Sequence, residues 1–249
     1  MDTARLQWCQ SIPGELISSN EVHVWRVFLD ATNIQSENVT GILSADELTR
    51  AEKFHFERDQ KKFIMTRGIL RMILGNYLRK KPGELCFEYN AFGKPVLPAD
   101  AGCDTLQFNL SHSGEIALYA VARERNIGID VERMRDDIDI GQIAKRFFSA
   151  EEIRSLDTIH KKNRSATFFQ YWTRKEAFIK ARGEGISFPM EQCDVSSMSG
   201  SMLSPVKLPD NNSESSGWYG QDLLPGPGYA AAIAVEGNDC DISCWHYPV

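Results

Sequence analysis

The spacing of apolar residues along the chain changes period several times, and each change marks an element. "VHVWRVFLD", Val22 to Asp30, alternates and is rich in β-branched and aromatic side chains, which predicts a strand. "LSADELTRAEKF" places Ser44 three residues before Glu47, the layout of a capping box, and opens a helical region. With a break near Glu57 to Asp59, apolar residues at Phe63, Ile64, Ile69, Leu70, Ile73, Leu74 and Leu78 recur at helical spacing, so the region is expected to reach about Leu78. "NAFGKPVLP" predicts a turn and a short extended piece, because Gly and Pro punctuate it. "LQFNLSHSGEIALYAVAR" predicts a strand, a turn at Ser111 to Gly114, and a second strand. "NIGIDVERM", Asn126 to Met134, begins as a buried strand with Ile129 and Val131 on one face, so Asp130 and Glu132 share the other. Two acids held that close need a cation, a proton or basic side chains to compensate them.

The pattern then repeats. "FSAEEIRSL", Phe148 to Leu156, echoes "LSADELTRA", Leu43 to Ala51, and "TRKEAFIKARG", Thr173 to Gly183, falls where "TRGILRMILG", Thr66 to Gly75, falls earlier. Both halves read strand, capped helix, long helix, which predicts an α+β fold of two similar halves, residues 1–124 and 125–249, with a cleft at their junction. "SGSMLSPVKLPDNNSESSG" is polar and turn-rich, a surface hairpin or loop ahead of the terminal strands "YAAAIAVE" and "DISCWHY".

Composition narrows the class. The chain has 249 residues, 42% hydrophobic and 10% aromatic, enough to bury a substantial core. It lacks an apolar run of membrane-spanning length and a signal-peptide layout at "MDTARLQWCQ", so a soluble cytoplasmic protein without membrane attachment is expected. Six cysteines (Cys9, Cys86, Cys103, Cys193, Cys240, Cys244) are scattered, which reads as reduced thiols; Cys240, Cys244 and His246 form an isolated cluster that could take a soft metal. The net charge of −6 argues against nucleic-acid binding. Between Arg50 and Lys81, however, ten basic residues face three acids, so this segment carries +7 and the remainder −13. A dense positive patch on an acidic protein favours an anionic ligand over a merely solvated helix face.

The candidate chemistry gathers around the acids. In "FFQYWTRKEAFIKARGEG", Glu176 and Lys180 stand one helical turn apart on one face. Alone they are a surface ion pair; packed on the strand of Asp130 and Glu132, Glu176 becomes a third carboxylate. Three carboxylates without His or Cys describe a hard-cation site, Mg²⁺ or Mn²⁺ before zinc, with remaining ligands from water and phosphates. His112 beside Ser111 in "NLSHSG" suits a phosphate contact better than a nucleophilic pair, since adjacent strand residues point apart and no G-x-S-x-G elbow is present. Lys94 follows Gly93 in a turn that presents it well, and no Walker or dinucleotide fingerprint is found.

Four motifs in order, "FGKP" (Phe92 to Pro95), "FNLSHS" (Phe108 to Ser113), "GIDVE" (Gly128 to Glu132) and "WTRKEAFIKARGEG" (Trp172 to Gly185), resemble the 4′-phosphopantetheinyl transferases of the surfactin-synthetase-activating (Sfp) type. The similarity covers about Leu43 to Pro189. It implies a monomer of two α+β halves with coenzyme A and Mg²⁺ (Mn²⁺ as alternative) between them, transferring phosphopantetheine to a serine of apo acyl or peptidyl carrier proteins and releasing 3′,5′-ADP. By motif, Asp130, Glu132 and Glu176 would be metal ligands, Lys180 would bind the pyrophosphate, and Ser111, His112 and Lys94 would meet the nucleotide end. Arg58, Lys61, Lys62 and Arg67 are further candidates for the 3′-phosphate, and Glu176 is the candidate base. Exposed members of "KRFF" (Lys145 to Phe148) and "HKKNR" (His160 to Arg164) are expected to receive an acidic carrier helix, unless Phe147 and Phe148 belong to the core. Two other readings stay open on the residues alone: a Mg²⁺-dependent hydrolase of coenzyme A or a nucleotide, and a non-catalytic binding module.

Overall fold

Strands that read as nearly continuous apolar runs need cover on both faces, and the architecture supplies it. The computed structural model describes residues 7–9, 17–29, 39–98, 105–185, 188–198, 200–208 and 217–248; Asp30, Cys103 and part of the polar loop before Gly217 lie outside them. The first sheet has the order β1 (Trp8–Cys9), β11 (Asp241–His246), β2 (Glu21–Phe28), β6 (Ile116–Arg123), β5 (Leu106–Ser113). The second has the order β7 (Ile127–Arg133), β10 (Tyr229–Glu236), β9 (Trp218–Leu223), β8 (Ser204–Pro205), and a small ribbon pairs β3 (Glu88–Tyr89) with β4 (Pro95–Val96). Helix α2 (Glu57–Leu78) packs Ile69, Leu70, Ile73 and Leu74 on Trp25, Val27 and Tyr119 of the first sheet. Helix α5 (Lys161–Arg182) packs Ala177, Phe178 and Ala181 with Ala230, Ala232 and Ala234 of the second. Between the sheets, Val22, Val24, Leu118 and Ala120 meet Ile127, Ile129, Val131 and Ile233. The order is therefore helix, sheet, sheet, helix, an α+β fold.

The two sheets repeat one connectivity. In each, the first strand pairs antiparallel with the third and the third with the second: β2 with β6 with β5, and β7 with β10 with β9. The last strand departs from the sequence division, since β11 returns to the first sheet and lies parallel between β1 and β2. Other boundaries shift modestly. The helical break falls at Glu52 to Phe56, between α1 (Ala45–Ala51) and α2, while Glu57 to Asp59 form the first turn of α2; β5 continues through Ser113, so its turn is Gly114 and Glu115. A helix α3 (Ile140–Phe147), which the pattern does not announce, precedes α4 (Ala150–Thr158).

Each capping box carries a second duty. Glu47 accepts from the Ser44 backbone N–H and also receives Arg71 Nε at 2.7 Å, both side chains essentially without solvent exposure. Glu152 accepts from Ser149 and receives Lys175 Nζ at 2.9 Å, again fully buried. Each cation then donates to the first residue of a 3₁₀ turn and to the residue after it: Arg71 to the carbonyls of Pro82 and Leu85, Lys175 to those of Met190 and Cys193. By these partners Lys175 corresponds to Arg71, not to Gly68, which the match of the two Thr-Arg pairs would align. Removing one partner of a buried ion pair costs ~3–5 kcal/mol because the other charge is stranded. Lys175→Met should therefore lower Tm by roughly 10 °C or more, and Glu152→Gln with Lys175→Met should recover part of it. Thermal unfolding followed by circular dichroism checks this; a single variant as stable as wild type would show that the pair contributes nothing.

Candidate active site

Gly128 brings strand and helix together. A Cβ there would collide with the Ala177 carbonyl oxygen and the Ala181 nitrogen, so only glycine lets α5 lie directly on β7. The alternation of β7 sends Ile129 and Val131 into the core between the sheets and turns Asp130 and Glu132 toward the cleft, where α5 presents Glu176 and Lys180. Lys180 Nζ lies 2.7 Å from Asp130 Oδ1 and 3.1 Å from Ser111 Oγ. Asp130 is buried, and its second oxygen, Oδ2, has no hydrogen-bond partner among the described residues. Glu176 is held above the usual carboxylate range by desolvation and then by the negative charges of Asp130 and Glu132; Glu132 is raised by desolvation, with Asp130 adding to it and a hydrogen bond from Ser113 opposing it.

The free edge of β7 faces β5, and side chains do the work of a backbone ladder. Asn109 Oδ1 accepts from the Ile129 N–H at 2.9 Å, Ser111 Oγ from Val131 at 3.4 Å, and Ser113 Oγ from Arg133 at 3.0 Å. The two serine hydroxyls donate in turn to the acids, Ser111 to Asp130 at 2.9 Å and Ser113 to Glu132 at 2.7 Å. The polar spacing Asn-x-Ser-x-Ser on an otherwise buried strand was the signal available for Asn109 and Ser113, neither of which the sequence reading singled out.

A cleft of about 590 Å³ opens over these groups, lined among others by Arg67, Lys94, His112, Trp172 and the three acids. Arg67 lies near the rings of Phe63 and Tyr89, and its Nη1 is buried with no hydrogen-bond partner among the described residues. His112 stands solvent-accessible at the rim yet crowded by protein atoms; desolvation first, then Lys180, Lys62 and Arg67, hold its pKa below the ordinary histidine value. Lys94 donates to the carbonyls of Lys180 (2.7 Å) and Ile127 (3.1 Å), and burial followed by the charge of Lys180 brings it down to about 8. Asn90, also unanticipated, donates to the Gly183 carbonyl, so the Asn90 to Lys94 turn caps the end of α5. Of the remaining basic candidates, Lys62 is engaged by the Gly114 carbonyl and Glu115, whereas Arg58 and Lys61 are exposed beside Asp59 and Glu57 and do not line the cleft.

Two family models match the chain: the 4′-phosphopantetheinyl transferase superfamily over residues 126–234 and the 4′-phosphopantetheinyl transferase N-terminal model over residues 30–124. The transferase HetI of Nostoc sp. is 39% identical over 96% of this chain and 98% of its own length. The chain belongs to the 4′-phosphopantetheinyl transferase family. The transferase Sfp of Bacillus subtilis is 27% identical over 87% of this chain and 93% of its own. The L-aminoadipate-semialdehyde dehydrogenase-phosphopantetheinyl transferase of Mus musculus is 28% identical over 79% and 68%. The protein is thus a phosphopantetheinyl transferase, moving phosphopantetheine from coenzyme A to a carrier protein, and the hydrolase alternative has no support.

Other expectations resolve locally. Phe148 is buried and stacked on Phe168, and Phe147 packs edge-on against Trp172, so both belong to the core side of "KRFF" while Lys145 and Arg146 remain exposed. Lys161 and Lys162 are exposed; Arg164 pairs with Asp157, and His160 caps α5. The cysteine cluster does not form a metal site: Cys244 is buried in the sheet interior, and His246 Nε2 faces the Arg26 guanidinium at 2.6 Å. Among the described residues no helix is long and apolar enough to cross a membrane.

Because its pKa is raised in the folded chain, ionised Glu176 costs stability at neutral pH, and that cost is relieved as pH falls through its raised value. Metal-free Glu176→Gln should therefore melt above wild type at pH 7, and the gap should close as the pH falls into the ordinary carboxylate range. A variant that melts below wild type at pH 7 would refute this.

Proposed function

We propose that Asp130, Glu132 and Glu176 hold a divalent cation, Mg²⁺ with Mn²⁺ as the alternative, and that the transferase reaction runs in the cleft above them. The observation that carries this reading is the buried Asp130 Oδ2, without a hydrogen-bond partner among the described residues, beside two carboxyls whose pKa values are raised by desolvation first and then by the charge of Asp130. Among the described residues no three potential ligands yet surround one point, and Asp130 Oδ1 is instead held by Lys180 and Ser111. The donors are hard oxygens throughout, which suits a hard cation. When bound, such a cation neutralises charge on the pyrophosphate oxygens of coenzyme A.

The chain's own groups then have distinct tasks. Lys180, tethered by Asp130 and free to exchange that contact, meets the pyrophosphate and stabilises the leaving 3′,5′-ADP. Arg67, with its unpartnered Nη1, and His112 contact the 3′-phosphate; Lys62 supports them from the turn it anchors, and Arg58 and Lys61 act only by steering. Lys94 and Ser111 serve the site chiefly by holding α5 and Asp130. The carrier serine Oγ attacks the phosphorus attached to pantetheine, the bond to the adenosine phosphate breaks, and the serine proton passes to Glu176, which lines the cleft from α5. Lys145, Arg146, Lys161 and Lys162 form the exposed basic surface for an acidic acyl or peptidyl carrier. We further propose that the enzyme is a cytoplasmic monomer, divided near residue 124 into two α+β units, with β11 returned to the first.

Pure protein incubated with apo acyl carrier protein, coenzyme A and Mg²⁺, and weighed by intact-mass spectrometry, tests the assignment. The carrier should gain one phosphopantetheine, and Asp130→Ala should reduce the rate by at least about 10²-fold. Equal loading by Asp130→Ala would overturn the metal assignment.

A further inference from the structure

Ser111 and Ser113 stand two residues apart on β5 and perform the same operation on successive acids of β7. Each hydroxyl accepts the backbone N–H of one β7 residue and donates its proton to the carboxylate of the residue before it: Ser111 between Val131 and Asp130, Ser113 between Arg133 and Glu132. A hydroxyl has one proton, and spending it on a carboxylate fixes that side chain's direction relative to its own strand. Asn109, two residues earlier, closes the same series on Ile129, where β7 carries no acid to receive a proton. Ser111 lines the cleft, whereas Ser113 does not. Its contact with Glu132 is also unnecessary for joining the strands, because the Arg133 N–H is satisfied by the hydroxyl oxygen alone.

We propose that Ser113 is a positioning residue for the transferase reaction, acting through Glu132 by holding its carboxylate in the direction that receives the divalent cation. This rests on the reading that Asp130, Glu132 and Glu176 bind that cation. Hydrogen-bond partners that orient ligating carboxylates commonly change metal affinity by about 10–100-fold when removed. Any small residue would fill the space, but only a hydroxyl performs both halves of the bracket, so threonine should substitute and alanine should not.

The test uses Mn²⁺ alone as the probe, its binding to the full chain followed by electron paramagnetic resonance, with carrier loading measured across Mg²⁺ concentrations in parallel. Ser113→Ala should weaken Mn²⁺ binding about tenfold, raise the Mg²⁺ concentration needed for half-maximal loading by a similar factor, and leave the rate at saturating Mg²⁺ within about twofold of wild type. Ser113→Thr should restore both quantities. Wild-type Mn²⁺ affinity in Ser113→Ala, or failure of a folded Ser113→Thr to restore it, would overturn the positioning role while leaving the cation site intact. Indistinguishable Mn²⁺ binding by wild type and Asp130→Ala would instead remove the cation site itself, and the role of Ser113 with it.

Discussion

The site depends on a backbone edge that no other backbone satisfies. β7 is paired on one side with β10 and presents its other N–H groups to β5, a strand of the other sheet. Unpaired buried amides are costly, about 1–3 kcal/mol each, so the seam between the sheets requires acceptors at every second position. Asn109, Ser111 and Ser113 provide them. Because hydroxyls rather than a carbonyl ladder close most of the seam, their protons remain available for Asp130 and Glu132. The need that joins the two sheets thereby also sets the acids in the cleft.

The long helix depends on equally specific constraints at several points along its length. Lys175 ties it to α4 through Glu152, Gly128 lets it touch β7, and the Asn90 to Lys94 turn covers its end. Glu176 and Lys180 lie between these anchors, so their placement follows from groups that have no part in the chemistry. Lys175 and Glu176 are neighbours in sequence with opposite fates: one is sealed into an ion pair, and the other is left among like charges at the cleft.

Much of this was legible from local patterns. The alternation of Ile129 and Val131 with Asp130 and Glu132 announced both the strand and the convergence of acids, and two capping boxes announced the repeated connectivity. What periodicity could not reveal was which edges meet. Ser111 and Ser113 looked like turn residues because Ser and Gly cluster there, but pairing with β6 extends the strand through them. Lys94 looked free because it follows a glycine, yet its ammonium is drawn onto one helix carbonyl and one strand carbonyl of the other half. Arg58, Lys61, Lys62 and Arg67 were alike as charges on one helix; helical rotation and their local partners leave Arg67 facing the cleft.

The return of β11 to the first sheet bears on how the chain is made. Residues 241–246 form an interior strand between β1 and β2, although they follow the whole second sheet in sequence. Domains that fold as units during synthesis do so N-terminal first, but here the first sheet lacks an interior strand until the second sheet has also been synthesised. The two halves are thus interdependent, because the strand that completes the first sheet reaches it only through the second.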